Sequence, residues 1–204
     1  MYLTPMIEGM MRIKYGVDVR LTEAHLREIH FQGTLVEMAF EDINRCFAAG
    51  DYNGPRLWYS LSGALNSMAS ISNILWPTRN RADVKMRSAA IRKTLGVDDS
   101  GLTALRDVRN KLVHFDEYMD KWNATSRRGM LVDRFVGPAD TFPSISPEDF
   151  ARRYDVYAQE LSVFGSAIGL VSALNEVQNL MADIEACRNY FGDSLVPESE
   201  KSGA

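Results

Sequence analysis

Between Leu102 and Trp122 the apolar residues Leu105, Val108, Leu112, Phe115, Met119 and Trp122 recur at intervals of three, four, three, four and three. At ~100° per residue this spacing draws one apolar stripe down a helix, so the stretch must fold as an amphipathic helix against a core. Other segments obey the same rule. Leu26, Ile29, Gly33, Val36, Phe40, Ile43 and Phe47 predict a helix from about Leu21 to Ala49, stopped by Gly50-Asp51-Tyr52-Asn53-Gly54-Pro55. A second helix runs from about Pro55 to Leu75, with proline at its start and Trp76-Pro77 at its end. Its Ser60, Ser62, Gly63, Ala64, Ser67, Ala69, Ser70 and Ser72 are small enough for close helix approach, which places it centrally. A hydroxyl-lined pocket is the other use for such a stripe. A shorter helix from about Arg81 to Leu95 ends at Gly96, and another spans about Ala167 to Tyr190 through Leu170, Leu174, Val177, Leu180 and Ile184. The expectation is an all-α fold: an up-down helical bundle of four to five main helices.

Residues 150–168 carry two patterns. Phe150, Tyr154, Tyr157, Leu161, Phe164 and Ile168 suit a heptad, and Ser146-Pro147-Glu148 suits a helix start. Against this, Tyr154 and Val156 flank Asp155, Leu161 and Val163 alternate, and Gly165 closes the run as in a hairpin. Periodicity alone favours the helix. Gly129, Gly137-Pro138, Pro143 and Pro147 mark an irregular segment within one domain, not a linker between two. The division is an N-terminal arm over 1–20, a single domain over 21–195 and a flexible tail over 196–204. The 204 residues suffice for one core, and 46% hydrophobic with 25% charged residues argues against disorder. A net charge of -4 gives no global attraction to a polyanion. Cys46 and Cys187 fit no metal-ligand spacing and read as small hydrophobes in a reducing compartment. With no signal-peptide pattern and no apolar run near ~20 residues, the expected location is cytoplasmic, with no membrane partner.

The helix with the clean core stripe carries a second one. Asp107, Asn110, His114, Glu117 and Lys121 repeat at three and four residues and are all polar. Asn110 lies ~200° around the helix from Val108, so the two stripes face opposite ways. Asn110 and His114, four apart, are surface neighbours, and the long Arg109 side chain reaches the same surface. One reading is a solvated helix face. The other is chemical. Histidine ordinarily titrates near neutrality, arginine is permanently charged, and an amide can orient either, which is a minimal kit for cleaving a phosphodiester. His114 would take a proton from a ribose 2′-hydroxyl or protonate the leaving oxygen, and Arg109 would neutralise the transition state.

Arg109-Asn110-x3-His114 resembles the R-x(4-6)-H signature of the HEPN superfamily. The longer string from Leu105 to Trp122 is similar to an uncharacterised bacterial HEPN-like group with an R-N-x3-H-F-D-E-x-x-D-x-W pattern. Ala69-Ser70-Ile71-Ser72-Asn73-Ile74-Leu75-Trp76-Pro77, Val132-Asp133-Arg134-Phe135-Val136-Gly137-Pro138 and Arg153-Tyr154-Asp155 look like other segments of that group. The resemblance spans about residues 21–185. It implies a HEPN-like bundle of four or five helices that dimerises with the two motif helices at a shared cleft. It further implies a metal-independent endoribonuclease of the toxin or defence-effector class, with Arg109 and His114 as the essential pair and Asn110 in support. A protein partner of antitoxin type follows from that class. The resemblance also moves residues 150–164 towards a small β-hairpin, since the group places a Tyr-Asp turn and a short strand there.

In this acidic chain the best phosphate-contacting candidates are Arg79, Arg81, Lys85 and Arg87, in a segment that continues to Arg92 and Lys93 with Asp83 as its lone acid. A solvated helix face is the alternative. A metal site is not expected: Asp116 lies ~160° from His114 on a helix, leaving Glu117 alone on the histidine's face, and His25 and His30 lack further ligands. No cofactor is called for. Two other readings stand beside the nuclease: a catalytically inactive HEPN-like binding or dimerisation module, and a small-ligand bundle built around the serine-rich helix.

Overall fold

The computed structural model describes residues 19–97, 101–126 and 129–193, so the expected tail and nearly all of the expected arm lie outside the described residues. Helix α1, Val19–Ala48, spans 30 residues, or ~45 Å. Its buried side chains Ile29, Val36 and Ile43 are spaced at seven residues and lie along one line. Residues 49–54 turn the chain: the Asp51 N–H donates to Cys46 O, and the Gly54 N–H donates to the Asp51 carboxylate. Helix α2, Pro55–Leu75, starts on its proline and forms its most extensive packing with α1. Leu57, Leu61, Leu65, Met68, Ile71 and Leu75 are all fully buried, so α2 lies at the centre of the core, as its small residues predict. Ser60 and Ser70 donate back to carbonyls of their own helix, and Ser72 is wholly buried.

Pro77 ends α2 and leaves carbonyls at its C-terminus without intrahelical partners. Two arginines take them. Arg92, on helix α3 (Ala82–Leu95), donates to Leu75 O, and Arg106, on helix α4 (Leu105–Val113), donates to Trp76 O. Both cations sit at the negative end of the α2 dipole, so one charge pattern fastens α3 and α4 to the same helix end. Helix α6, Leu170–Asp193, packs on α1 through Val177, Leu180 and Ile184. The approach is close at Gly33, where an added Cβ would collide with the Met181 thioether.

The molecule is mostly helical but not all-α. A four-stranded sheet, β1 (Phe135–Val136), β2 (Arg153–Asp155), β3 (Glu160–Val163) and β4 (Ser166–Gly169), runs in that order; β1 and β2 are parallel and the rest antiparallel. The heptad over 150–168 is therefore not a helix, and the hairpin alternative extends into a third antiparallel strand that takes the start expected for the last helix. Local chemistry explains why. Asp155 Oδ1 accepts from the N–H groups of Tyr157 and Ala158, which turns the chain after β2. Arg153 is buried on β2 and bonds both Asp155 at 3.1 Å and Glu160 at 2.7 Å, tying β2 to the start of β3. Phe164 and Gly165, at φ 43° and 80°, make the two-residue turn to β4. A left-handed phenylalanine is strained, and the ring's burial against the helical layer offsets that cost.

The expected helix from Leu102 to Trp122 is also corrected. A 3-10 turn at Gly101–Thr103 precedes α4, and a new helix α5 runs from Phe115 to Thr125. The break is a single residue, His114, at φ −99° and ψ 43°. Its N–H still donates to Asn110 O and its carbonyl still accepts from Tyr118 N–H, so the hydrogen-bond ladder continues around the break. The hairpin tip holds this break. The Phe164 ring lies 5.3 Å from Phe115 and 6.2 Å from Tyr118, both just past the break. Lys111, just before it, donates to Phe164 O at 2.9 Å.

Candidate functional site

The residue singled out as acid or base is the one that breaks the helix. His114 is exposed, with its Nδ1 3.3 Å from Glu117 Oε1 one turn into α5. The Glu117 carboxylate lies on the Nδ1 side of the ring, which leaves Nε2 as the nitrogen directed elsewhere. On the preceding turn, Arg109 is half-buried, Asn110 is exposed, and Arg109 Nη1 lies 3.5 Å from Asn110 Oδ1. Arg109, Asn110 and His114 thus come from the last turn of α4 and its end, with Glu117 added by α5.

The polar stripe does not survive as one face. Asn110, His114 and Glu117 belong to the motif surface. Asp107 and Lys121, read as its outer members, line a cavity of about 320 Å³ with Lys111, Tyr118, Trp122 and Phe164. Asp107 accepts a hydrogen bond from Ser166 Oγ and lies 4.0 Å from Lys111 Nζ. The ammonium groups of Lys111 and Lys121 lie 5.6 Å and 5.9 Å from the Tyr118 ring centroid. Sequence reasoning missed this cavity because Phe164 and Glu148, which close it, come from a distant stretch read first as helix. The available signal was the pair of lysines flanking Tyr118.

One acid shapes the floor beneath. Asp149 is buried and accepts from Trp122 Nε1 at 2.9 Å, Ser146 Oγ at 2.9 Å and Ser146 N at 3.2 Å, with Ser126 Oγ at 3.5 Å. Burial pushes its carboxyl upward, but the donors from Trp122 and Ser146 outweigh this and hold it below the ordinary carboxylate value. Trp122 is thereby an anchor between α5 and the turn that leads into β2.

The four basic candidates sit apart in role. Arg79, Arg81 and Lys85 are exposed, and Arg81 is held by Asp83 at 2.6 Å. Arg87 is half-buried, and its Nε is buried with no hydrogen-bond partner among the described residues. Helix α3 packs on α2, α6 and α1, whereas α4 packs on α2, the 3-10 turn and strands β3 and β4. Arg92, from the same basic run, is committed to the α2 terminus. Both cysteines are free thiols, with Cys46 buried and Cys187 half-buried. Among the described residues no cluster of three or more metal-ligating side chains occurs, and no helix is long and apolar enough to cross a membrane. Comparison of the chain with protein-family models, curated proteins and solved structures gives no match.

Proposed function

We propose that the chain cleaves RNA without a metal, as the HEPN-like motif implies, with His114 as proton-transfer residue, Arg109 as transition-state stabiliser and Asn110 positioning them. The observation that supports this reading best is the paired geometry at the helix break. His114 projects from a non-helical residue with Nδ1 3.3 Å from Glu117, one turn from the Arg109–Asn110 pair. A buried structural histidine would be packed into the core; this one is displayed. In the proposed reaction a ribose O2′ loses its proton to His114 Nε2 and forms a bond to the adjacent phosphorus. The P–O5′ bond then breaks, and O5′ receives a proton from a second imidazolium. Negative charge on the non-bridging oxygens is met by the Arg109 guanidinium.

One chain offers a single histidine at this place, so the reaction calls for a second copy, and a homodimer is part of the proposal. Val113, half-exposed between Asn110 and His114, is the apolar contact that a second copy would cover. Covering it would also withdraw the pair from water, where its charges act more strongly. A role as toxin or defence effector, with an antitoxin-type partner, rests on the sequence resemblance alone.

The test is incubation of varied RNAs with the wild type, His114→Ala and Arg109→Ala in the presence of EDTA. Wild-type cleavage lost in both variants, with termini of 2′,3′-cyclic phosphate and 5′-hydroxyl, is the expected result. Equal cleavage by wild type and His114→Ala, or none by the wild type on any RNA, would sink the reading and favour a non-catalytic binding or dimerisation module. Light scattering on the same samples reports the dimer.

A further inference from the structure

The cavity beside the motif is not part of the proposed cleavage chemistry. It lies between the α4–α5 break and the β3–β4 tip, and its volume of about 320 Å³ falls within the range of small-ligand pockets. Three kinds of surface meet in it. The half-buried rings of Tyr118 and Trp122 form an aromatic wall, and the buried Phe164 ring stacks on Tyr118 at 6.2 Å and 24°. Lys111 is already engaged by Asp107 and the Phe164 carbonyl, but Lys121 pairs with no carboxylate among the described residues. Glu148 adds a carboxylate to the lining, which at neutral pH only accepts hydrogen bonds. An occupant that satisfies all three is flat and carries both an anionic group and N–H donors.

We propose that this cavity seats one nucleobase and its attached phosphate, with the base along the aromatic wall, its N–H edge towards Glu148 and its phosphate at Lys121. Stacking of bases on aromatic rings and phosphate contact by lysine are the ordinary terms of single-strand recognition. The proposal deepens the RNA reading and rests on it. Asp107 and Lys111 of the cavity lie on the same helix as Asn110, offset from it by ~60° and ~100° around the axis. A strand with one nucleotide in the cavity therefore continues towards the motif surface on the neighbouring face of α4. The cavity would then select or hold a nucleotide next to the cut, while His114 and Arg109 perform it.

The test is direct titration of the full chain with nucleoside monophosphates, the matching nucleosides and inorganic phosphate, followed by calorimetry and tryptophan fluorescence. Nucleotides should bind more tightly than either fragment. Lys121→Ala should weaken them by about tenfold or more, the usual worth of a charge-assisted contact. Thr125→Trp, on the exposed end of α5 and at the cavity wall, should abolish binding by filling the space while far-UV circular dichroism stays unchanged. His114→Ala should leave binding intact, which separates this proposal from the cleavage reading: loss of cleavage with retained binding supports the cavity, and binding without any wild-type cleavage condemns the nuclease alone. Inorganic phosphate binding as tightly as nucleotides, or nucleotide binding indifferent to both Lys121→Ala and Thr125→Trp, would overturn the proposal.

Discussion

Asp149 gathers hydrogen bonds from three residues, one of them the cavity-lining Trp122, so its removal should be felt beyond its own segment. Its carboxylate takes two bonds at 2.9 Å and one at 3.2 Å, while the Ser126 contact at 3.5 Å is marginal. Hydrogen bonds to a charged acceptor contribute ~1.5–3 kcal/mol each and are not additive, and a donor left buried without a partner adds its own cost. Asp149→Ala should therefore cost about 3–5 kcal/mol, lowering Tm by on the order of 10 °C for a chain of this size. Asp149→Asn keeps the shape and one carbonyl oxygen. If that oxygen stays on Trp122, the new amide meets the Ser146 N–H donor to donor, and about 1–2 kcal/mol is lost. The pH dependence provides an independent check. Because the folded carboxyl is held below its ordinary value, near 3.8, its contribution is complete above that value and disappears as pH falls through the lower folded value. Urea melts monitored by circular dichroism between pH 7 and pH 2 should show that acid-side loss in the wild type and a smaller one in Asp149→Asn. If Asp149→Ala costs less than about 1 kcal/mol, or Asp149→Asn retains the wild-type acid slope, the assigned network is wrong.

Other consequences can be checked one by one. Gly165→Ala forces an alanine to φ 80° and should destabilise by about 1–2 kcal/mol in the same melts. Phe164→Ala removes a buried ring from beside the break and should cost about 3–5 kcal/mol, whereas Phe164→Gly, freed from left-handed strain, should be about 1 kcal/mol less harmful than the alanine despite lacking its Cβ. Glu117→Gln removes the carboxylate from His114 Nδ1 and should lower kcat for RNA cleavage about tenfold at unchanged KM; a change in KM alone would exclude a positioning role. In α1, Gly33→Ala should be near neutral, its helix-propensity gain of ~1 kcal/mol offset by displacement of the Met181 thioether, whereas Gly33→Val should cost about 1–3 kcal/mol.

The helical core was legible because burial follows period. Ile29, Val36, Ile43, Leu105 and Val108 were placed by spacing alone, and all are buried. The stop at Trp76-Pro77 was legible too, but its consequence was not: Arg92 looked like one more surface cation, and only the meeting of three helix ends converts it into a cap. The strands were hidden for a different reason. Phe150, Tyr154, Leu161 and Phe164 are all buried, as a heptad requires, yet they are buried by short alternating strands and tight turns. Apolar positions three, four and seven apart do not exclude such an arrangement. The deciding signals were polar and local: Asp155 turning its own backbone, and Gly165 completing a two-residue turn.

The break at His114 has no breaker. Neither glycine nor proline stands between Leu105 and Trp122, and the apolar period passes through the break without a missed beat. The cause lies fifty residues later, in a hairpin tip whose carbonyl takes Lys111 before the break and whose ring takes Phe115 and Tyr118 after it. Sequence reasoning therefore found the residue and mistook its setting. On an unbroken helix, His114 would be one polar position among five on a solvated face. At the break it is displayed from a backbone held by the hairpin tip, and the same tip closes the lysine-flanked cavity on the neighbouring face of α4. The proposed cleavage pair and the proposed nucleotide cavity thus depend on one structural element that belongs to neither. A perturbation of Phe164 should reach both, and one confined to His114 or Lys121 should reach only its own.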